Sequence, residues 1–261
     1  MTYYFHLPLI GQIKPEPLLL IIIAAVFLGV VGAQLAGHWV ARRQRLRNPT
    51  AKVESSSIEA ALFALLGLLV GFTFSGAETR LEHRRDLIIQ EANAIGTAYL
   101  RLDMLPAEAQ PMLREEFRRY VDARLLYYKK LLSADAAAAL RHAEELQRQI
   151  WQDTVMALGE TEMQGATEVV VPALNEMFDI TTARQAALHT HLPPAIFGML
   201  VVLALACAYI AGRGMAKAPH PNHLYVLTFA AVLALTGFTI LNLEYPRLGF
   251  VRLDRMDALL Y

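Results

Sequence analysis

Apolar and polar positions follow two different rhythms along this chain. Four stretches are almost free of polar side chains: Leu18–Gly37 with 20 residues, Ala60–Gly76 with 17, Ala195–Gly212 with 18 and Leu224–Leu243 with 20. A bilayer's hydrocarbon core is about 30 Å thick and a helix rises about 1.5 Å per residue. Each stretch is therefore long enough, or nearly so, to cross it, and far longer than a buried strand of about 4–8 residues. The pattern predicts four transmembrane helices, at about 18–37, 58–76, 195–212 and 223–243. The first exceeds the usual apolar core of a signal peptide. Arg42, Arg43, Arg45 and Arg47 follow it as a stop-transfer signal, so a retained helix is expected.

Between the second and third spans the rhythm becomes amphipathic. Leu81, Ile88, Ile95 and Leu102 recur every seventh residue, with Ala98 and Leu105 at the companion position, which draws one apolar seam along a helix. Only Gly76 stands between this seam and the second span, so one unbroken helix is predicted over 58–105, ended by Pro106. A second helix is expected over 108–132, with Leu113, Phe117, Tyr120, Val121, Leu125, Tyr128 and Leu132. A third, over 135–158, is capped by Ser133 and Asp135 and interrupted at Gly159. A fourth opens at Pro172 and runs to 190. The fold class read from this is all-α: a polytopic membrane protein with four transmembrane helices and an inserted soluble helical bundle. Its parts are 1–76 (tail and two spans), 77–193 (the bundle, continuous with the second helix), 194–243 (two spans) and 244–261 (tail).

Composition agrees with this partition. Hydrophobic residues make up 55% and charged residues 18%, against about 25% charge in soluble domains. The chain has no net charge, which gives no signature of nucleic-acid binding. The insert 77–193 holds 13 basic and 18 acidic residues, so the basic surplus lies near the spans. Loops 38–57 and 213–222 carry seven Lys and Arg against four in the two tails, which places both loops in the cytoplasm and the insert on the outer side of a bacterial inner membrane. Arg80, Arg84 and Arg85 pull the other way.

Enzyme templates are absent: the chain has no GxSxG, P-loop, GxGxxG or HExxH. Cys207 lies mid-span among apolar residues and reads as packing. His189, His191, His220 and His223 flank spans without neighbouring carboxylates. No catalytic residue, cofactor or metal site is expected.

The spans do carry small residues four apart. Gly29, Ala33 and Gly37 stand in the first span, and Gly67, Gly71 and Ser75 in the second. Such stripes let helix backbones approach closely in lipid, within one chain or between copies. Glu59 and Glu78 bracket the second span, about 28 Å apart along a helix. Between them Phe63, Leu66, Val70 and Phe74 form a stripe that could line an apolar constriction in an oligomer. Beyond the span, Arg84 and Glu91 fall on the seam side, and Asn93 and Thr97 lie close by. Buried polar groups need partners, and Asp179 and Arg184 on the fourth helix are the candidates.

Several strings also resemble a known family. Phe74-Ser-Gly-Ala77, Arg80, Arg84, Leu87-Ile88 and Glu91-Ala-Asn-Ala-Ile-Gly-Thr-Ala98 are similar to the bestrophin-like family of bacterial and plant membrane proteins. So are Leu100-Arg-Leu-Asp103, Pro106, Pro172, Asn175-Glu-Met177, Asp179, Arg184, His191-Leu-Pro-Pro194, Glu244, Pro246, Gly249 and Arg252. The family name implies a distant likeness to bestrophins, pentameric anion channels with four transmembrane helices and a helical cytosolic region. On that likeness the insert would be cytosolic, opposite to the charge count, and the second span would line the pore. The expected function is thus an oligomeric ion channel, anion-conducting by analogy. Its expected partners are the bilayer, inorganic ions and further copies of itself, a pentamer by the same analogy. The rival expectation is a non-conducting membrane-anchored sensor or scaffold whose insert binds a partner.

Overall fold

The structure is a computed structural model that describes residues 15–47, 57–131, 133, 135–160, 163–246 and 253–260. Among these residues there is no strand. Eight α-helices follow in order: α1 Pro15–Arg47, α2 Ser57–Arg101, α3 Gln110–Lys129, α4 Ala136–Glu160, α5 Ala166–His189, α6 Pro194–Gly214, α7 His223–Glu244 and the single turn α8 Asp254–Asp257. Four helical stretches are long and apolar enough to cross a membrane; they contain α1, the first half of α2, α6 and α7. The predicted long helix is present as α2, whose 45 residues run without a break from a lipid-compatible half into an amphipathic half. The chain divides into two compact units, Met1–Thr79 with His191–Val251, and Arg80–Thr190 with Arg252–Tyr261.

In the first unit α1 packs on α6 and α7 around Val30, Ala208 and Ala230. The hydrophobic effect offers little between helices in lipid, so close van der Waals approach must hold them. Glycine provides it here. A Cβ on Gly212 would overlap the Gln34 carbonyl oxygen and stand 2.7 Å from its carbon. A Cβ on Gly37 would overlap the Tyr209 carbonyl oxygen, 3.0 Å from its carbon. In both glycines a Cα hydrogen takes that direction, so each helix offers Cα–H to the other's carbonyl. A Cβ on Gly29 would meet only Leu205, at the ordinary contact distance of 3.4 Å, and Ala33 packs on the same core.

In the second unit the expected seam is the core. Leu81, Ile88, Ile95, Ala98, Leu102 and Leu105 are all buried, and the last four join Leu113, Phe117, Tyr120, Leu146, Ile150, Leu174 and Met177 in one cluster. Two boundaries differ from the sequence expectation. Gly159 lies inside α4, and the chain turns instead at Gly165, whose φ of 81° is the left-handed conformation glycine adopts without a Cβ penalty. Pro172 does not open α5 but sits within it, because the helix already starts at Ala166 behind Gly165. The proline ring faces outward, where the amide it lacks leaves only an exposed turn unbonded.

Candidate functional site

The polar centre of the second unit is built from four charges that occupy positions on apolar stripes. Glu91 replaces a seam residue of α2 between Ile88 and Ile95. Arg124 does so on α3 between Tyr120 and Tyr128, and Arg184 on α5 between Thr181 and Ala187. Asp257 lies between Leu253 and Leu260 near the C-terminus, both of them buried. Helix formation therefore carries all four side chains inward, and each needs a counter-charge.

They satisfy one another. Glu91 is 0% exposed. Its Oε1 accepts from Arg124 Nε at 2.8 Å, and its Oε2 accepts from Arg184 Nη1 and from the Tyr128 hydroxyl, the latter at 2.9 Å. Arg184 Nη2 donates to Asp257 Oδ1, and Arg124 Nη2 donates to the Tyr128 hydroxyl. The Arg184 guanidinium stacks over the Tyr128 ring, 3.5 Å from its centroid. Two carboxylates and two guanidiniums cancel. Burial pushes the Glu91 carboxyl up, but the charges of Arg124 and Arg184 and their hydrogen bonds outweigh this and hold it below the usual carboxylate range. Tyr120 has its hydroxyl buried and without a hydrogen-bond partner among the described residues; burial, and then the charge of Glu91, raise it above the ordinary phenol range, against the pull of Arg124 and Arg184.

The predicted polar cluster is thus split. Glu91 and Arg184 meet as partners. Arg84 is buried elsewhere and donates to the carbonyls of Ala187 (3.2 Å) and Thr190 (2.8 Å) at the end of α5. Asn93 and Asp179 are exposed and line an open groove with Gln90, Asn175 and Glu176, while Thr97 is half-buried on α2. Sequence reasoning missed Arg124, Tyr128 and Asp257. A second acidic feature lies between α3 and α4. Burial, and then the neighbouring Asp153 carboxylate to which it hydrogen-bonds, push the Glu116 carboxyl up to about 7 despite Arg119.

In the first unit α2 is buried on one side only. Leu66, Thr73 and Ala77 are buried, Phe63 sets its ring edge against Phe229 at 6.3 Å, and Val70 and Glu59 are half-covered. The proposed constriction stripe therefore lies for the most part against its own chain. Phe74, at 38% exposed, and Glu78 lie towards the open side. That side carries Gly67, Gly71 and Ser75, and nothing stands within 4 Å of a Cβ built on either glycine. Within the same unit the fully buried Glu244 accepts from the Leu192 amide at 2.8 Å. The His191 Nδ1 lies 3.5 Å from the same oxygen, and its ring stacks on Tyr245. Among the described residues no cluster of His, Cys, Asp and Glu could hold a metal ion.

These features define a four-span helical membrane protein whose second helix continues from lipid into a bundle with a neutralised ionic core. The model of the bestrophin-like domain matches residues 24–257, and the chain belongs to the bestrophin-like family. No curated protein and no solved structure matches it.

Proposed function

We propose that the chain is one subunit of an oligomeric channel in a bacterial inner membrane, with copies of α2 arranged around a shared axis and inorganic anions as the permeant species. The observation that carries this reading is the one-sided burial of α2. Its covered face is apolar and turned to its own chain, while its uncovered face is thinned by Gly67, Gly71 and Ser75. A helix that faced only acyl chains would gain nothing from small residues there, whereas a helix packed near a symmetry axis would. A residue covered within its own subunit does not line a pore, so the proposed lining is Gly67, Gly71, Phe74, Ser75 and Glu78. The choice of anions follows from the family likeness to bestrophins. Reconstitution into planar bilayers is the test. Conductance that depends on the chloride gradient supports the reading, and none above empty-lipid controls at any pH removes it.

The open groove of Gln90, Asn93, Asn175, Glu176 and Asp179 favours a second reading, a membrane-anchored scaffold whose bundle binds a partner. Particle mass in detergent separates the two. The channel requires a ring of subunits, and a monomer or dimer leaves only the scaffold.

A further inference from the structure

We infer that the Arg124–Arg184 centre is an exchangeable anion site, in which Asp257 of the C-terminal segment is a tethered occupant that a small inorganic anion of chloride size can replace. The inference stands on the second unit alone and is independent of conduction. The argument begins with the charge count. Glu91 and Asp257 balance Arg124 and Arg184, and all four are buried. A buried guanidinium without a counter-charge is costly, so whichever anion leaves must be replaced.

The two resident anions are held very differently. Glu91 lies mid-way along the bundle half of a 45-residue helix and accepts from Arg124, Arg184 and Tyr128. Asp257 ends a four-residue helix flanked by the buried Leu253 and Leu260. It is the one that can leave without unwinding a long element. The site it would vacate is already shaped for an anion. Arg184 Nη2 points into it and the guanidinium is fixed over the Tyr128 ring. Release of the segment and uptake of an anion are then coupled, and the coupling is reciprocal: chloride loosens the segment, and the segment excludes chloride.

The experiment uses the full chain in detergent, with sodium chloride compared with sodium gluconate at equal ionic strength, gluconate being too large to enter. In the native protein, hydrogen exchange of the amides of 253–260 is expected to be several-fold faster in chloride. In Asp257→Asn, where the counter-charge is gone but the side-chain volume remains, chloride is expected to raise the melting temperature by about 2–4 °C in a saturable manner. The native protein is expected to show no such rise. Exchange that is the same in both salts overturns the inference, whether or not Asp257→Asn folds. A melting shift of equal size in the native and Asp257→Asn proteins is a general salt effect and overturns it as well.

Discussion

Replacing Gly212 by alanine tests how α1 and α6 are held together. The new Cβ would overlap the Gln34 carbonyl oxygen and stand 2.7 Å from its carbon and 2.8 Å from its Cα. Both obstacles are backbone, so no rotamer relieves them and the helices must separate by roughly 1 Å. Overpacking of this kind costs about 1–3 kcal/mol. Separation also weakens the Cα–H···O bonds at Gly212 and Gly37, at about 0.5–1 kcal/mol each. Alanine returns up to about 1 kcal/mol of helix propensity. The net expectation is a loss of about 2–3 kcal/mol, or roughly 5–10 °C in melting temperature for a chain of this size. The control is Gly198→Ala on the same helix α6, where nothing stands within 4 Å and only the propensity gain remains. Its melting temperature is expected to stay level or rise slightly. Thermal melts of the two purified variants in one detergent decide the matter. If Gly212→Ala melts within a degree of the native protein, or if Gly198→Ala falls as far, close backbone approach does not hold this crossing.

Other expectations follow from the second unit and from the open face of α2. Glu91→Gln leaves two guanidiniums facing one carboxylate and is expected to cost about 3–5 kcal/mol in chemical denaturation; a loss below 1 kcal/mol would falsify the ionic core as described. Glu116 has a folded pKa of about 7 against an ordinary 4.5, so the folded state binds its proton more tightly. The stability it contributes is complete below about pH 4.5 and is lost as pH rises to about 7, and Glu116→Gln should flatten that decline in melts taken from pH 4.5 to 8. Gly165→Ala meets no neighbour within 4 Å but holds φ at 81°, so a loss of about 1 kcal/mol is expected from backbone strain alone. Gly71→Leu should leave the melting of the single chain unchanged while abolishing the ring in detergent; a ring that survives the leucine argues against assembly through this face.

The spans were legible because their length and lack of charge leave few alternatives, and so was the seam of α2, since Leu81, Ile88, Ile95 and Leu102 keep one spacing through the whole helix. Glu91 stood out as a charge on that seam, and Arg184 as a partner on a later helix. Arg124 carried the same signal, lying four residues from both Tyr120 and Tyr128 on the stripe of α3, but it read as one more base beside Arg118 and Arg119. Asp257 sits between Leu253 and Leu260 at spacings of four and three, which is again a charge on an apolar stripe. What sequence could not supply is the pairing, because ion pairs that span 33, 93 and 73 residues leave no local trace. The placement of Gly159 and Pro172 failed for a related reason. Both residues are tolerated in a helix whose other positions pack well, and one left-handed glycine at 165 made the turn instead.

The ionic core explains why the bundle has one register. Apolar stripes alone would let α2, α3 and α5 slide by a turn with little loss, since aliphatic side chains of similar size replace one another. With Glu91 in the seam, a slide of one turn carries its carboxylate about 5.4 Å along the axis away from Arg124 and Arg184, leaving Arg124 buried without its counter-charge and Arg184 with Asp257 alone. The same condition binds the C-terminal segment, because Arg184 is neutralised on its second nitrogen only when Asp257 is seated. Compared with an aliphatic replacement the quartet adds little stability. Its contribution is to penalise every alternative packing, and it makes the docking of residues 253–260 depend on charge as well as on the burial of Leu253 and Leu260.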